Sequence, residues 1–176
     1  GVSSVALASD LLLDATLSIV GYGAKLLDGR SFALDGQGTV GCLYIAGPVN
    51  VSLVDMTLRG GYAINGGGVM VAAKAALSLK NVVVINNTAL NYGGGMYLFL
   101  EGTSANLQNV TIASNRAEHG GGIYLQDAIV NISMTTVTSN LALSNGGGVL
   151  NGVQPLDGVC FLQQVFAIAN RSEEHT

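Results

Sequence analysis

The stretch Asn91-Tyr92-Gly93-Gly94-Gly95-Met96-Tyr97-Leu98 returns 27 residues later as Glu118-His119-Gly120-Gly121-Gly122-Ile123-Tyr124-Leu125. Glycine triplets begin at Gly66, Gly93, Gly120 and Gly146, at intervals of 27, 27 and 26 residues. A period of that size marks a solenoid. One coil cannot bury its own apolar side chains, so it stacks on its neighbours until a continuous core exists.

Aligning the coils on the third glycine exposes three runs in each. After the glycines come Gly68-Val69-Met70-Val71, Gly95-Met96-Tyr97-Leu98, Gly122-Ile123-Tyr124-Leu125 and Gly148-Val149-Leu150-Asn151, and Gly41-Cys42-Leu43-Tyr44 fits the pattern one coil earlier. A second run is Met56-Thr57-Leu58-Arg59, Val82-Val83-Val84-Ile85, Val110-Thr111-Ile112-Ala113 and Thr135-Thr136-Val137-Thr138, and the last three lead to Asn87, Asn115 and Asn140. Between them lies a third run: Leu77-Ser78-Leu79, Ala105-Asn106-Leu107 and Val130-Asn131-Ile132. Short β-branched segments of period two, bounded by Gly and Asn turns, read as strands. Three per coil of 26 or 27 residues describe an all-β, single-stranded parallel β-helix, and the preferred hand of parallel crossovers makes it right-handed.

Competing readings fail on composition. A helical solenoid needs apolar spacing of 3.6 residues and strong helix formers, whereas this chain has 25 glycines and only 10% charged residues. Asn65-Gly66-Gly67-Gly68 is no phosphate loop, because no βαβ unit surrounds it and the motif recurs. The glycines Gly68, Gly95, Gly122 and Gly148 instead fit a column at a tight corner. Asn87, Asn115 and Asn140 fit a ladder of stacked amides.

Mean hydropathy of +0.47 reflects the β interior, since no apolar stretch approaches the ~18 residues of a membrane-spanning helix. A net charge of −4 with scattered basic residues argues against nucleic acid as a partner. Cys42 and Cys160 fall about four coils apart, roughly 19 Å at the ~4.8 Å strand spacing, too far for a disulfide.

Residues 1–170 read as one β-helix fragment, open at both ends, with further coils of a parent protein beyond each. Val165-Phe166-Ala167-Ile168-Ala169-Asn170 is the strand-to-Asn segment of a further coil, after which Arg171-Ser172-Glu173-Glu174-His175-Thr176 turns abruptly polar. Those six residues resemble the conceptual translation of a short-read sequencing adapter; a disordered polar tail is the other reading.

An Asn, three to five intervening residues and then Gly-Gly-Gly-Ile/Met-Tyr resembles the repeat of polymorphic outer-membrane proteins and of the wider right-handed β-helix, pectin-lyase-like superfamily. The likeness covers roughly residues 38 to 170, and Leu17-Ser18-Ile19-Val20-Gly21-Tyr22-Gly23-Ala24 resembles a first coil of such helices. One departure is the residue three before the Asn, usually Phe in the polymorphic repeat and here Val84, Ile112 and Val137. The resemblance implies a secreted or surface location and either adhesion or polysaccharide cleavage, and fold alone does not choose.

Cleavage demands converging carboxylates. Leu34-Asp35-Gly36-Gln37-Gly38 resembles a structural motif of polygalacturonases, but the chain has no adjacent Asp pair, no Asn-x-Asp and no Arg-x-Lys. Asp28, Asp35, Asp55, Glu101, Glu118, Asp127 and Asp157 do not share a column, so no calcium-dependent lyase site forms either. His119, beside Glu118, occupies the slot held by Asn65, Tyr92 and Asn145 and reads as a variable turn residue. No catalytic, metal or cofactor site is therefore expected. Period two sends Val69, Met96, Ile123 and Val149 inward and Leu43, Met70, Tyr97, Tyr124 and Leu150 outward, with Phe99 on the same face. Tyr97, Phe99 and Tyr124 then form an exposed strip, with rings about 4.8 Å apart, suited to a sugar or a protein surface. The alternative is a strip covered by a loop or neighbouring domain. Sequons at Asn50, Asn86, Asn109 and Asn131 permit N-glycosylation. The functional expectation is a non-catalytic extracellular or cell-surface region contacting a glycan or protein. The alternatives are a lyase or hydrolase fragment lacking its catalytic coils and a passive stalk.

Overall fold

The computed structural model describes residues 4–7, 11–13, 17–20, 32–152, 159–168 and 170–172. They form a parallel β-solenoid of about five turns. Sheet 1, which follows the glycine corner, stacks Leu11–Leu13, Leu43–Ile45, Val69–Val71, the starts of Met96–Gln108 and Ile123–Thr138, and Val149–Asn151. Sheet 2 stacks Leu17–Val20, Asn50–Val54, Ala76–Lys80, the end of Met96–Gln108, the middle of Ile123–Thr138 and the start of Val159–Ile168. Sheet 3 stacks Ser4–Ala6, Phe32–Asp35, Met56–Arg59, Val83–Ile85, Thr111–Ala113 and the ends of the two long strands. The long strands bend between sheets where residues take positive φ, such as Gly102 at 81° and Asp127 at 55°.

The three runs seen in the sequence pair in the expected register from the second coil onward. Val69, Met96 and Ile123 stack inward, as do Leu53, Leu79, Leu107 and Ile132, and Leu58, Val84, Ile112 and Val137. All are sequestered from solvent. This three-sided apolar stack is the core, and its burial is the main favourable term in folding.

The first coil of the glycine-aligned series, which enters sheet 1 at Leu43 next to the Leu11–Leu13 rung, departs from the expectation by one residue. Leu43 pairs with Val69 and Tyr44 with Met70, so Cys42 takes the place of the third glycine and Leu43 turns inward, 2% exposed. A slip of one residue exchanges the faces of a strand. Tyr44, not Leu43, is therefore the outward residue. Cys42 is buried there, with its Sγ 3.2 Å from the Arg59 carbonyl and 3.7 Å from Asn87 Oδ1. At the other end, the backbone of Cys160 pairs with Val130 in the fifth rung; its side chain lies outside the described residues.

Each coil from the second onward also carries a fourth strand, in residues that the sequence reading left to the turn. Tyr62–Asn65, Thr88–Tyr92, Arg116–His119, Leu141–Asn145 and Arg171–Ser172 form a separate five-stranded parallel sheet. These segments escaped notice because only one residue in each of the middle three, Ala89, Ala117 and Ala142, is directed into a packed interior. The excursion is a narrow fin. A Cβ on Gly61 would collide with the Gly67 carbonyl, and one on Gly94 with the Arg116 carbonyl, so the two legs approach closer than any side chain allows. Residues 173–176 lie outside the described residues, while Arg171 and Ser172 pair with Leu141 and Ala142.

Glycine serves two distinct purposes in the triplet. The first members, Gly66, Gly93, Gly120 and Gly146, have φ between 62° and 70°, a left-handed region that glycine enters without strain. The third members, Gly68, Gly95, Gly122 and Gly148, stack in one column without positive φ. A Cβ on Gly95 would sit 2.6 Å from the Gly122 carbonyl.

Candidate functional site

The Asn ladder runs beside that corner. Asn87 Nδ2 donates to Asn115 Oδ1 at 3.0 Å, Asn115 to Asn140 at 3.0 Å and Asn140 to Asn170 at 3.1 Å. The second hydrogen of each amide goes to a carbonyl of the preceding coil, Leu58, Val84, Ile112 and Val137 in turn. Each of the Asn115, Asn140 and Asn170 side-chain oxygens also accepts the backbone N–H of the preceding Asn. Buried amides must be satisfied in this way, so the ladder is structural and offers nothing to a ligand.

Two outward surfaces stand out among the described residues. On sheet 2 the period-two polar residues line a groove of about 610 Å³ that crosses four rungs. Ser52, Ser78, Asn106 and Asn131 share one axial column, with Asn50 and Ser104 alongside and Ala76 and Ala105 among the apolar lining. No carboxylate, imidazole or amine is among its lining residues. Amide and hydroxyl groups both donate and accept, so the groove can hydrogen-bond a polyhydroxylated chain but has nothing to move a proton at neutral pH. In the sequence Ser78, Asn106 and Asn131 stand out only as strand residues, with Asn131 also in a sequon; that they line one groove is signalled only by their position between buried residues.

The second surface is the crease between sheet 1 and the fin. The outward column of sheet 1 is Leu12, Tyr44, Met70, Tyr97, Tyr124 and Leu150. Tyr97, Phe99 and Tyr124 do come together, but not as a flat exposed strip. The Tyr92 ring folds over from the fin, 5.8 Å from Tyr97 and 4.7 Å from Tyr124, leaving Tyr97 only 4% exposed. The Tyr97 and Tyr124 rings are 5.6 Å apart and tilted by 60°, an edge-to-face pair in place of the parallel stack expected at 4.8 Å; the ring quadrupole prefers this arrangement. Phe99 stacks on Tyr97 at 5.6 Å, and Tyr97 donates its hydroxyl to Gln126 Oε1 at 2.9 Å. Burial pushes the Tyr97 phenol up to about 12, with Tyr124, Tyr92 and Asp127 adding to the effect. Tyr124 is raised for the same reasons, burial first and then Tyr92.

His119 pairs with both Tyr92 and Asn145 in register, and its ring stacks on Tyr92 at 5.5 Å. This is the variable slot expected from the sequence. Asp35 is engaged locally: its carboxyl is held below the usual range first by the Gln37 N–H at 2.9 Å and then by Arg59 at 2.9 Å, against a partial burial that opposes them. Among the described residues no three metal-ligating side chains converge, and no helix is long and apolar enough to cross a membrane. The sequon residues Asn50, Asn86, Asn109 and Asn131 are all exposed. Asn109 donates to Asn81 at 2.8 Å in a short surface ladder that continues to Asp55.

No family model, curated protein or solved structure matches this chain.

Proposed function

We propose that this chain is a non-catalytic region of a secreted or cell-surface β-helix of the pectin-lyase-like kind, and that it contacts an uncharged glycan through the groove on sheet 2. The observation that carries this reading is the lining: amides and hydroxyls repeated along the axis over a partly apolar floor, without an ionisable group. Such a surface fits the hydroxyls and ring faces of a neutral polysaccharide, and the protein's net charge of −4 disfavours a polyuronate. The test is binding of the chain, produced without glycosylation, to arrayed neutral and acidic glycans. Asn106→Ala combined with Ser78→Ala should weaken binding at least tenfold. Undiminished binding by that variant, or preference for polyuronates, rejects the groove.

A passive stalk is the second reading, and one observation favours it. Asn50 and Asn131 belong both to the groove and to sequons. A glycan attached to either would fill the groove from within the molecule. Intact mass of the chain secreted from a glycosylating host separates the two: modification at both residues supports the stalk, and unmodified residues support a receptor groove.

A further inference from the structure

Where the fin begins, a hollow of about 350 Å³ opens in the crease, lined by Leu43, Tyr44, Ala63, Ile64, Asn65 and Met70 with two glycines. It exists because the first coil makes no excursion. Val40 accepts from the Tyr62 N–H at 2.8 Å and Cys42 donates to the Gly67 carbonyl at 3.2 Å. Gly41 alone thus spans what residues 63–66 cover by a detour in the next coil.

The neighbouring coils show what such a crease holds. Asn65 stands in register with Tyr92, and the Tyr92 ring fills the crease against Tyr97 and Tyr124. Between Tyr44 and Met70 the missing fin leaves no such ring, and the hollow is lined by Met70, Tyr44 and the exposed Ile64, 63% accessible. We propose that this hollow is a binding site for one phenol-type ring, the side chain of a tyrosine presented by a partner polypeptide.

Three features fit that occupant. Sulfur and aromatic walls favour an aromatic guest. An apolar cavity of ~150 Å³ is enough for benzene, so this hollow admits a ring together with the chain that carries it. Asn65 lines the hollow, and its Oδ1 is shielded from solvent without a hydrogen-bond partner, an acceptor suited to a phenolic O–H. A pyranose, with a hydroxyl on nearly every carbon, finds only Asn65 and the Tyr44 hydroxyl as polar side-chain groups lining the hollow.

The probe is p-cresol, titrated into protein labelled at its methionine methyls. Met70 should shift saturably, while the buried Met56 and Met96 stay still. Asn65→Ala removes the unpartnered side-chain acceptor and should weaken the Met70 response about tenfold while circular dichroism remains native. Tyr44→Ser, which leaves the core column intact, should weaken binding about tenfold. Asn106→Ala in the sheet 2 groove should leave it unchanged, which keeps this site separate from the glycan reading. The proposal is overturned by an unsaturable Met70 response, by binding that survives both crease substitutions, or by equal binding of methyl α-glucoside.

Discussion

Replacing Asn115 by Ala removes four side-chain hydrogen bonds at once. Its oxygen accepts from Asn87 N and Asn87 Nδ2, both at 3.0 Å, and its amide donates to the Val84 carbonyl and Asn140 Oδ1, also at 3.0 Å. At a net contribution of about 1 kcal/mol each, the bonds alone amount to about 4 kcal/mol. The Asn87 N–H is then stranded in a site that is 0% exposed, for a further ~1 to 3 kcal/mol. We expect a loss of roughly 5 kcal/mol or more, in the exceptional range for one substitution. The comparison is Asn109→Ala, in the surface ladder, where one exposed bond of 2.8 Å is lost and the effect should stay within about 1 kcal/mol. The chain has no tryptophan, so urea unfolding should be followed by far-ultraviolet circular dichroism. A loss below about 2 kcal/mol for Asn115→Ala, or equal losses for the two variants, would refute the claim that the buried ladder ties the coils together.

Gly95→Ala should destabilise strongly and shift the coil spacing, because its Cβ meets the backbone carbonyl of Gly122 at 2.6 Å, whereas Gly38→Ala, with open space around it despite a φ of 71°, should cost only about 1 kcal/mol; equal effects would remove close approach as the cause. Tyr97→Ser should cost roughly 3 kcal/mol, as for a buried aromatic, and a loss within about 0.5 kcal/mol would mean the ring faces solvent. Because the folded Tyr97 phenol titrates near 12 against an ordinary value of 10, its contribution is complete below pH 10 and is lost as pH rises towards 12; alkaline unfolding monitored by tyrosinate absorbance should move in Tyr97→Phe, and an unchanged profile counts against the burial. Asp35, held below its ordinary value by Gln37 and Arg59, works in the opposite sense. Its contribution is complete above the ordinary carboxylate range and fades as pH falls through its folded value, so Asp35→Asn should flatten the acid limb of the stability curve.

The period, the core columns and both ladder-forming residue types were legible because each repeats at a fixed interval and faces a constant environment. What escaped was local. The fin has no apolar alternation, since one inward Ala per strand suffices between two legs pressed together by glycine. The first coil slipped by one residue because Gly41 was matched to the third glycine of the triplets, whereas the corner there accepts Cys42 once the fin is missing and the path is shorter. Tyr97 was correctly assigned to the outward face, but outward is not exposed when Tyr92 from the preceding fin covers it. The groove was hidden in plain sight, as the polar half of strands whose apolar half had already explained them.

The corner between sheets 1 and 2 separates loop length from core geometry. Phe99 pairs with Gln126 and Thr103 with Ala128, so three residues in one coil lie opposite Asp127 alone in the next, yet the rungs on both sides keep their register and their buried columns. Connections that differ this much already share one scaffold. Variation along this edge is thus nearly independent of folding, and the rim of the adjoining groove can be reshaped coil by coil, as a row of interchangeable fittings on a fixed rail.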